Sequence, residues 1–227
     1  MKYSLIFVLA VACVITCLFS NAQEPTPPGE TNATVSPDKK WEYEPDDSAP
    51  KILKAGTNEV ALDLSDQPAG NGFSSATVVW SPDSKRFAFN YGQGRTHAIS
   101  FYQLRGNEWN VLKFPDDDDK IYQRSDAIVV RQLKRQGLSE NKLDRQGKYL
   151  RLIWWTVKVD RWVDPNTAIV YASLRQVAAR RDAPGEMDDG YGTDLLFTLK
   201  FDETGNWKII KSHEMSEKEV EQREKEQ

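Results

Sequence analysis

Apolar and polar residues alternate with a period of two over most of this chain. Phe87, Phe89 and Tyr91 stand between Arg86, Ala88 and Asn90, and Leu195, Phe197, Leu199 and Phe201 stand between Leu196, Thr198, Lys200 and Asp202. Successive side chains of a strand point to opposite faces, so this alternation predicts strands with one face on a core. Val60 to Leu64, Ala76 to Trp80, Ala98 to Leu104 and Thr167 to Arg175 read as strands, and so does Tyr149 to Trp162, with apolar residues on both faces. One segment breaks the pattern. Ile121, Ile128, Val129 and Leu133, followed by a Gly137 stop, predict an amphipathic helix near 121–136 whose apolar stripe must cover the sheets. The run Asp116 to Asp119 precedes it, where acidic residues complement the helix dipole.

Two phrases recur. Ser36-Pro37-Asp38-Lys39-Lys40-Trp41 returns as Ser81-Pro82-Asp83-Ser84-Lys85-Arg86-Phe87, with a degenerate copy at Asp164-Pro165-Asn166-Thr167-Ala168-Ile169. In addition, Phe101 to Leu104 leads through Gly106-Asn107 to Trp109, and Phe197 to Leu199 leads through Gly205-Asn206 to Trp207. Gly and Asn tolerate the positive φ of tight hairpins, and tryptophan supplies a large buried area to the returning strand. The repeating unit is therefore strand, Pro-Asp turn, strand, strand, Gly-Asn turn, strand, a four-stranded meander present in three copies. Trp80-Ser81-Pro82-Asp83-Ser84-Lys85 followed by an apolar strand resembles the blade repeat of TolB-like and WD-repeat-like β-propellers. Lys39 and Ser84 stand where the TolB-like pattern has Gly. That resemblance implies a mainly β fold of antiparallel four-stranded meanders, an incomplete β-propeller with one helical insertion. It implies a binding or scaffold role and identifies no ligand. Three meanders do not make an ordinary ring, so the sheet edges need other protection: the helix, the segment Gln176 to Thr193, or self-association. With the helix packed across the sheets, a monomer is expected over a homodimer.

The ends of the chain change the picture. Lys2, an uncharged Tyr3 to Ser20 and the small residues Ser20 and Ala22 read as a signal peptide over 1–22, cleaved before Gln23. One competing reading keeps the segment as an anchor, and another makes it a lipoprotein leader with Cys13 after Ala10-Val11-Ala12, against which stand a short apolar stretch and no Leu at −3; with cleavage before Gln23 no stable membrane span remains. Residues 23–35 read as a proline-rich tether, 36–212 as the β domain and 213–227 as a charged, solvated tail with helical spacing. Both cysteines, Cys13 and Cys17, fall in the leader, so the mature domain is expected to be stable through its core alone. The exported chain is placed in a bacterial periplasm or outside the cell.

The chemistry is sparse. The net charge of −4 gives no support to nucleic-acid binding. With two histidines, His97 and His213, and no mature cysteine, a multi-histidine zinc site is excluded, and no nucleophile elbow or phosphate loop is present. Neither Asp116–Asp119 nor the glycine-interleaved acids of Glu186 to Asp194 match calcium-loop spacing, and the second reads as a loop lengthening a hairpin. No catalytic residue, metal or cofactor is assigned. A basic stretch from Arg124 to Arg151 contains Arg131, Lys134, Arg135, Lys142 and Arg145. With Trp154, which must face away from its neighbour Trp155, these form the candidate surface for an unknown protein or envelope polymer. The leading expectation is an exported, non-catalytic binding or scaffold module. The alternative is a hydrolase of glycans or peptides using paired carboxylates.

Overall fold

The computed structural model describes residues 34–66, 75–112, 118–183, 185 and 187–225; the predicted leader and nearly all of the tether lie outside them. The fold is mainly β, with antiparallel meanders in chain order. The first is a three-stranded sheet of β1 (Trp41–Glu44), β2 (Lys51–Lys54) and β3 (Val60–Asp63). The second comprises β4 (Ser75–Trp80), β5 (Arg86–Gln93), β6 (Thr96–Arg105) and β7 (Glu108–Val111). The third comprises β8 (Lys148–Asp164), β9 (Thr167–Arg180), β10 (Met187–Phe201) and β11 (Trp207–Glu214). Helices α1 (Asp118–Arg135) and α2 (Glu140–Arg145) lie between the second and third meanders, and α3 (Glu217–Lys225) follows the last strand.

Two features depart from three equal four-stranded units. In the first meander the leading strand is reduced to an isolated bridge between Val35 and Glu42. The second and third meanders are fused. β6 and β8 pair in parallel at Thr96–Trp155 and His97–Thr156, making one eight-stranded sheet.

The recurring turns agree bond for bond. In the first copy Ser36 Oγ donates to Asp38 Oδ1 at 2.8 Å and accepts from the Trp41 N–H at 3.0 Å. In the second, Ser81 Oγ donates to Asp83 Oδ1 at 2.8 Å and accepts from the Arg86 N–H at 2.9 Å. Lys39 and Ser84 have φ of 60° and 58°. The turn thus demands a left-handed residue at this position in both copies. The copies also touch: the Asp38 N–H donates to Ser84 Oγ at 2.9 Å, and Arg86 Nη1 donates to Pro165 O at 3.0 Å and Asn166 Oδ1 at 2.6 Å.

Each seam between meanders is filled by apolar side chains. Trp41, Tyr43 and Ile52 pack with Trp80, Phe87 and Trp109 between the first and second. The opposite face of the second, with Val79, Ile99 and Phe101, packs on Val170, Phe197 and Trp207 of the third. The second Gly-Asn turn closes this seam. At Gly205 (φ 88°) a Cβ would lie 2.4 Å from Leu112 Cδ2, so both backbone conformation and space require glycine.

The strands of the third meander outrun the second, and α1 covers the excess. On β9, Ala168, Val170 and Ala172 face the second meander, while Leu174 and Ala178, two-residue steps further along the same face, meet Val129 and Leu133 of α1 and Leu143 of α2. The segment read as a loop before Thr193 is instead the first half of β10. Gln132 of α1 holds it: Nε2 donates to Gly192 O at 2.8 Å and Oε1 accepts from the Gly192 N–H at 3.2 Å. One side-chain amide thereby replaces the neighbouring strand that β11, pairing only from Leu195, does not supply.

Candidate binding cleft

A cleft of about 510 Å³ opens where the second and third meanders join. Ser75 to Thr77 of β4, Asn90 and Tyr91 of β5 and His97 of β6 line one side; Trp154, Thr156, Lys158 and Asp160 of β8 and Tyr171 of β9 line the other. Val220, Arg223 and Glu224 of α3 cover it. The period of two explains the third meander's contribution. Trp155, Val157 and Val159 of β8 turn towards the core, which leaves Trp154, Thr156 and Lys158 on the opposite face.

The two tryptophans separate as expected. Trp155 meets the Tyr122 ring of α1 edge-on at 5.2 Å, while Trp154 is half-exposed with its ring 5.7 Å from His97. The His97 ring lies against bare backbone, since a Cβ on Gly92 would come 2.2 Å from His97 Cδ2. Its Nδ1 is 3.2 Å from Thr156 Oγ1. Among the described residues no carboxylate bonds the ring, so this pair lacks the acid that orients a catalytic imidazole.

At the back of the cleft the seam is held by backbone. Asn90 Nδ2 donates to Val159 O at 3.0 Å and Oδ1 accepts from the Val159 N–H at 2.8 Å. On the α3 side, Asp160 accepts from Arg223 at 2.6 Å and from Arg161 at 2.7 Å. The Arg223 guanidinium also lies over the Tyr171 ring, 4.2 Å from its centroid. Burial, followed by the hydrogen bond to Asp194, pushes the Tyr171 hydroxyl up to about 12, so it donates to Asp194 Oδ1 at 2.6 Å throughout the neutral range. Burial first and Arg223 second lower the Lys158 pKa.

His97 gives the cleft a pH signature. Burial, and then Lys158, lower its pKa from the ordinary 6.5. The unfolded state then binds the proton more readily than the folded one, so this contribution is complete above about pH 6.5 and is lost as pH falls below it. Urea unfolding at pH 7.5 and 5.5 is expected to show lower stability at the acid value. His97→Gln should flatten that part of the difference, and an unchanged difference would remove His97 as its source.

The sequence-derived surface is divided. Arg131, Lys134 and Arg135 at the end of α1, and Lys142 and Arg145 of α2, are all exposed at one helical corner. Lys142 Nζ donates to Gly137 O at 2.6 Å, and the nearby Asp144 pairs with Arg181 at 2.6 Å. Trp154 does not join them, because the helices pack on the Trp155 side of β8. Asp116, Asp117 and Glu186 lie outside the described residues, and among the described residues no three His, Cys, Asp or Glu side chains group to hold a metal. Nor is any helix among them long and apolar enough to cross a membrane.

Arg223 and Asp160 were missed as members of one site. Their sequence traces are slight: polar residues at alternate positions of a strand otherwise rich in apolar ones, and Val220 three residues before Arg223 in a polar tail. No known protein family, curated protein or solved structure matches this chain.

Proposed function

We propose that this protein is an exported, non-catalytic binding module built from propeller-blade-like meanders, and that the cleft between the second and third receives its partner, a protein or an envelope polymer. The observation that carries this reading is the lining of the cleft. Trp154 offers an aromatic face at its mouth, while Asp160 behind it is already engaged. Asp160 is held by two guanidinium groups, those of Arg223 at 2.6 Å and Arg161 at 2.7 Å. The hydrolase alternative needs two carboxyls that act together; of the two lining the cleft, Asp160 and Glu224, the first is committed to two guanidinium groups, which favours recognition over turnover. The exposed cations at the α1–α2 corner provide a second contact area, of a kind that steers an acidic partner into place.

The test has two parts. Mass spectrometry of the exported protein is expected to find a mature chain starting at Gln23; an intact Met1 or a lipid on Cys13 overturns the export reading. A photo-crosslinking residue at position 154 of the full chain, expressed in its native host, is expected to give a discrete adduct that the same residue at Val60, on the first meander, does not. Equal labelling at both positions, or turnover of a glycan or peptide by the purified protein, overturns the binding-module reading.

A further inference from the structure

Helix α3 is held to the domain by very little. It has nine residues and none of them is buried, and helices of this length are marginal in water without tertiary contacts. Its N-terminus closes on itself, with Ser216 Oγ and the Ser216 N–H both donating to Glu219 Oε2 at 2.7 Å, and His213 Nε2 is 2.9 Å from Glu219 Oε1. Val220 and Arg223 are the partly covered side chains of this helix. Arg223 keeps 14% of its side-chain surface, against 17% for its partner Asp160.

The seat occupied by Arg223 has the features of a guanidinium site. The Asp160 carboxylate accepts from Arg223 Nη1 at 2.6 Å, while the centroid of the Tyr171 ring lies 4.2 Å from the guanidinium carbon. Planar guanidinium satisfies both requirements at once, whereas a compact ammonium ion meets only the carboxylate geometry well. The seat exists without α3. Asp160 comes from β8 and Tyr171 from β9, and Tyr171 is further fixed by its hydroxyl bond to Asp194, which Arg175 in turn holds. Arg161 keeps Asp160 turned by its own bond at 2.7 Å.

The remaining cleft runs past this seat along Trp154, Tyr91 and the Ser75–Thr77 strand.

We propose that Asp160 and Tyr171 form a recognition site for an arginine side chain of a partner polypeptide, and that Arg223 is a built-in occupant which the partner displaces. The proposal rests on the binding-module reading and adds the chemistry of the partner. The tethered Arg223 competes at an effective concentration in the millimolar range, typical of a short linker, so a lone arginine cannot displace it. A partner succeeds by adding contacts with Trp154 and the outer cleft. Lys158, with its amino group 6.0 Å from the Tyr171 centroid, places a second cation beside the seat. Like-charge repulsion limits how tightly any occupant is held and keeps the exchange reversible.

The probe is the peptide acetyl-Gly-Gly-Arg-Gly-Gly-amide, with a citrulline counterpart that keeps the shape and removes the charge. Binding to the full chain is read by amide chemical shifts and tryptophan fluorescence. Arg223→Ala is expected to bind the arginine peptide at least tenfold more tightly than the unaltered chain, with shifts centred on Asp160 and Tyr171. The citrulline peptide should bind at least tenfold more weakly than the arginine peptide, and adding Asp160→Asn should abolish the gain. Arg223→Gln serves as the second variant if Arg223→Ala does not fold. Equal binding with and without Arg223, equal binding of the citrulline peptide, or shifts elsewhere on the domain each overturn the proposal. Its failure is separable from that of the functional reading. Arginine binding without a position-154 adduct removes the binding module and keeps the site, whereas an adduct insensitive to Asp160→Asn does the reverse.

Discussion

Trp109→Ala is expected to lower the unfolding free energy by about 3–5 kcal/mol, and Trp207→Ala by a similar amount, as truncation of large buried aromatics does. Trp109 opens β7 and reaches across the seam between the first two meanders. Its ring lies 5.4 Å from Trp41, 5.9 Å from Trp80 and 4.8 Å from Phe87. Removing it therefore empties a joint between two sheets, where the backbone has little freedom to collapse into the void. Its indole N–H is buried without a hydrogen-bond partner, so the side chain works through area and shape. Trp109→Phe is accordingly expected to cost under about 1.5 kcal/mol, which Trp109→Ala cannot match. Trp207 plays the equivalent part in the seam between the second and third meanders. Urea unfolding of the alanine variants checks both. Losses below about 1 kcal/mol at each would mean that the hairpin tryptophans are not the packing centres of their units.

The parts of this fold that could be read from the sequence are those whose forces are local. Ser81, Asp83 and the Arg86 N–H satisfy one another within a few residues, so the turn and its copy carry the same signature wherever they stand. The stripe Ile121, Ile128, Val129 and Leu133 has the helical period, and the structure buries all of it. The unread parts depend on distant partners. Gly190, Gly192 and Asp194 are poor strand formers, and the first half of β10 extends through pairing with β9 and the amide of Gln132. β2 is a four-residue strand flanked by Lys51 and Lys54, too short for its alternation to register. The parallel contact of β6 with β8 consists of two residue pairs, and no sequence period announces it.

The same distinction separates the halves of the candidate site. That one of Trp154 and Trp155 is exposed follows from their adjacency on one strand, and the exposed cations follow from helix geometry; which tryptophan it is depends on the packing of α1. That Arg223 returns from the tail to Asp160 and Tyr171 is a meeting of three distant segments. The tail's composition predicts a solvated helix, and α3 is one except at Val220 and Arg223, which are partly covered.

Arg86→Met should cost about 2–3 kcal/mol, the upper part of the range for leaving acceptors without their donor. Arg86 is the second-copy residue that enters the seam. It is 5% exposed, and its guanidinium donates to Pro165 O at 3.0 Å, Asn166 Oδ1 at 2.6 Å and Asp202 O at 2.8 Å. The Phe201 ring lies 5.8 Å away on the same side. Burial lowers its pKa while Asp83 and Asp202 oppose the shift, and arginine stays charged across the accessible range. Methionine fills much of the volume but removes the donor from Pro165 O and Asn166 Oδ1 and leaves Asp202 O with the Gly205 N–H alone, so the penalty comes from unmet polar groups and not from a cavity. Arg86→Lys is expected to recover less than half, since one ammonium cannot span acceptors that the planar fork reaches together. The effect should be directional. All three acceptors belong to turns of the third meander, so amide exchange around 164–167 and 201–206 should accelerate more than exchange in the first meander. A loss below about 1 kcal/mol, or uniform acceleration over the whole domain, would show that apolar packing alone joins the second and third meanders.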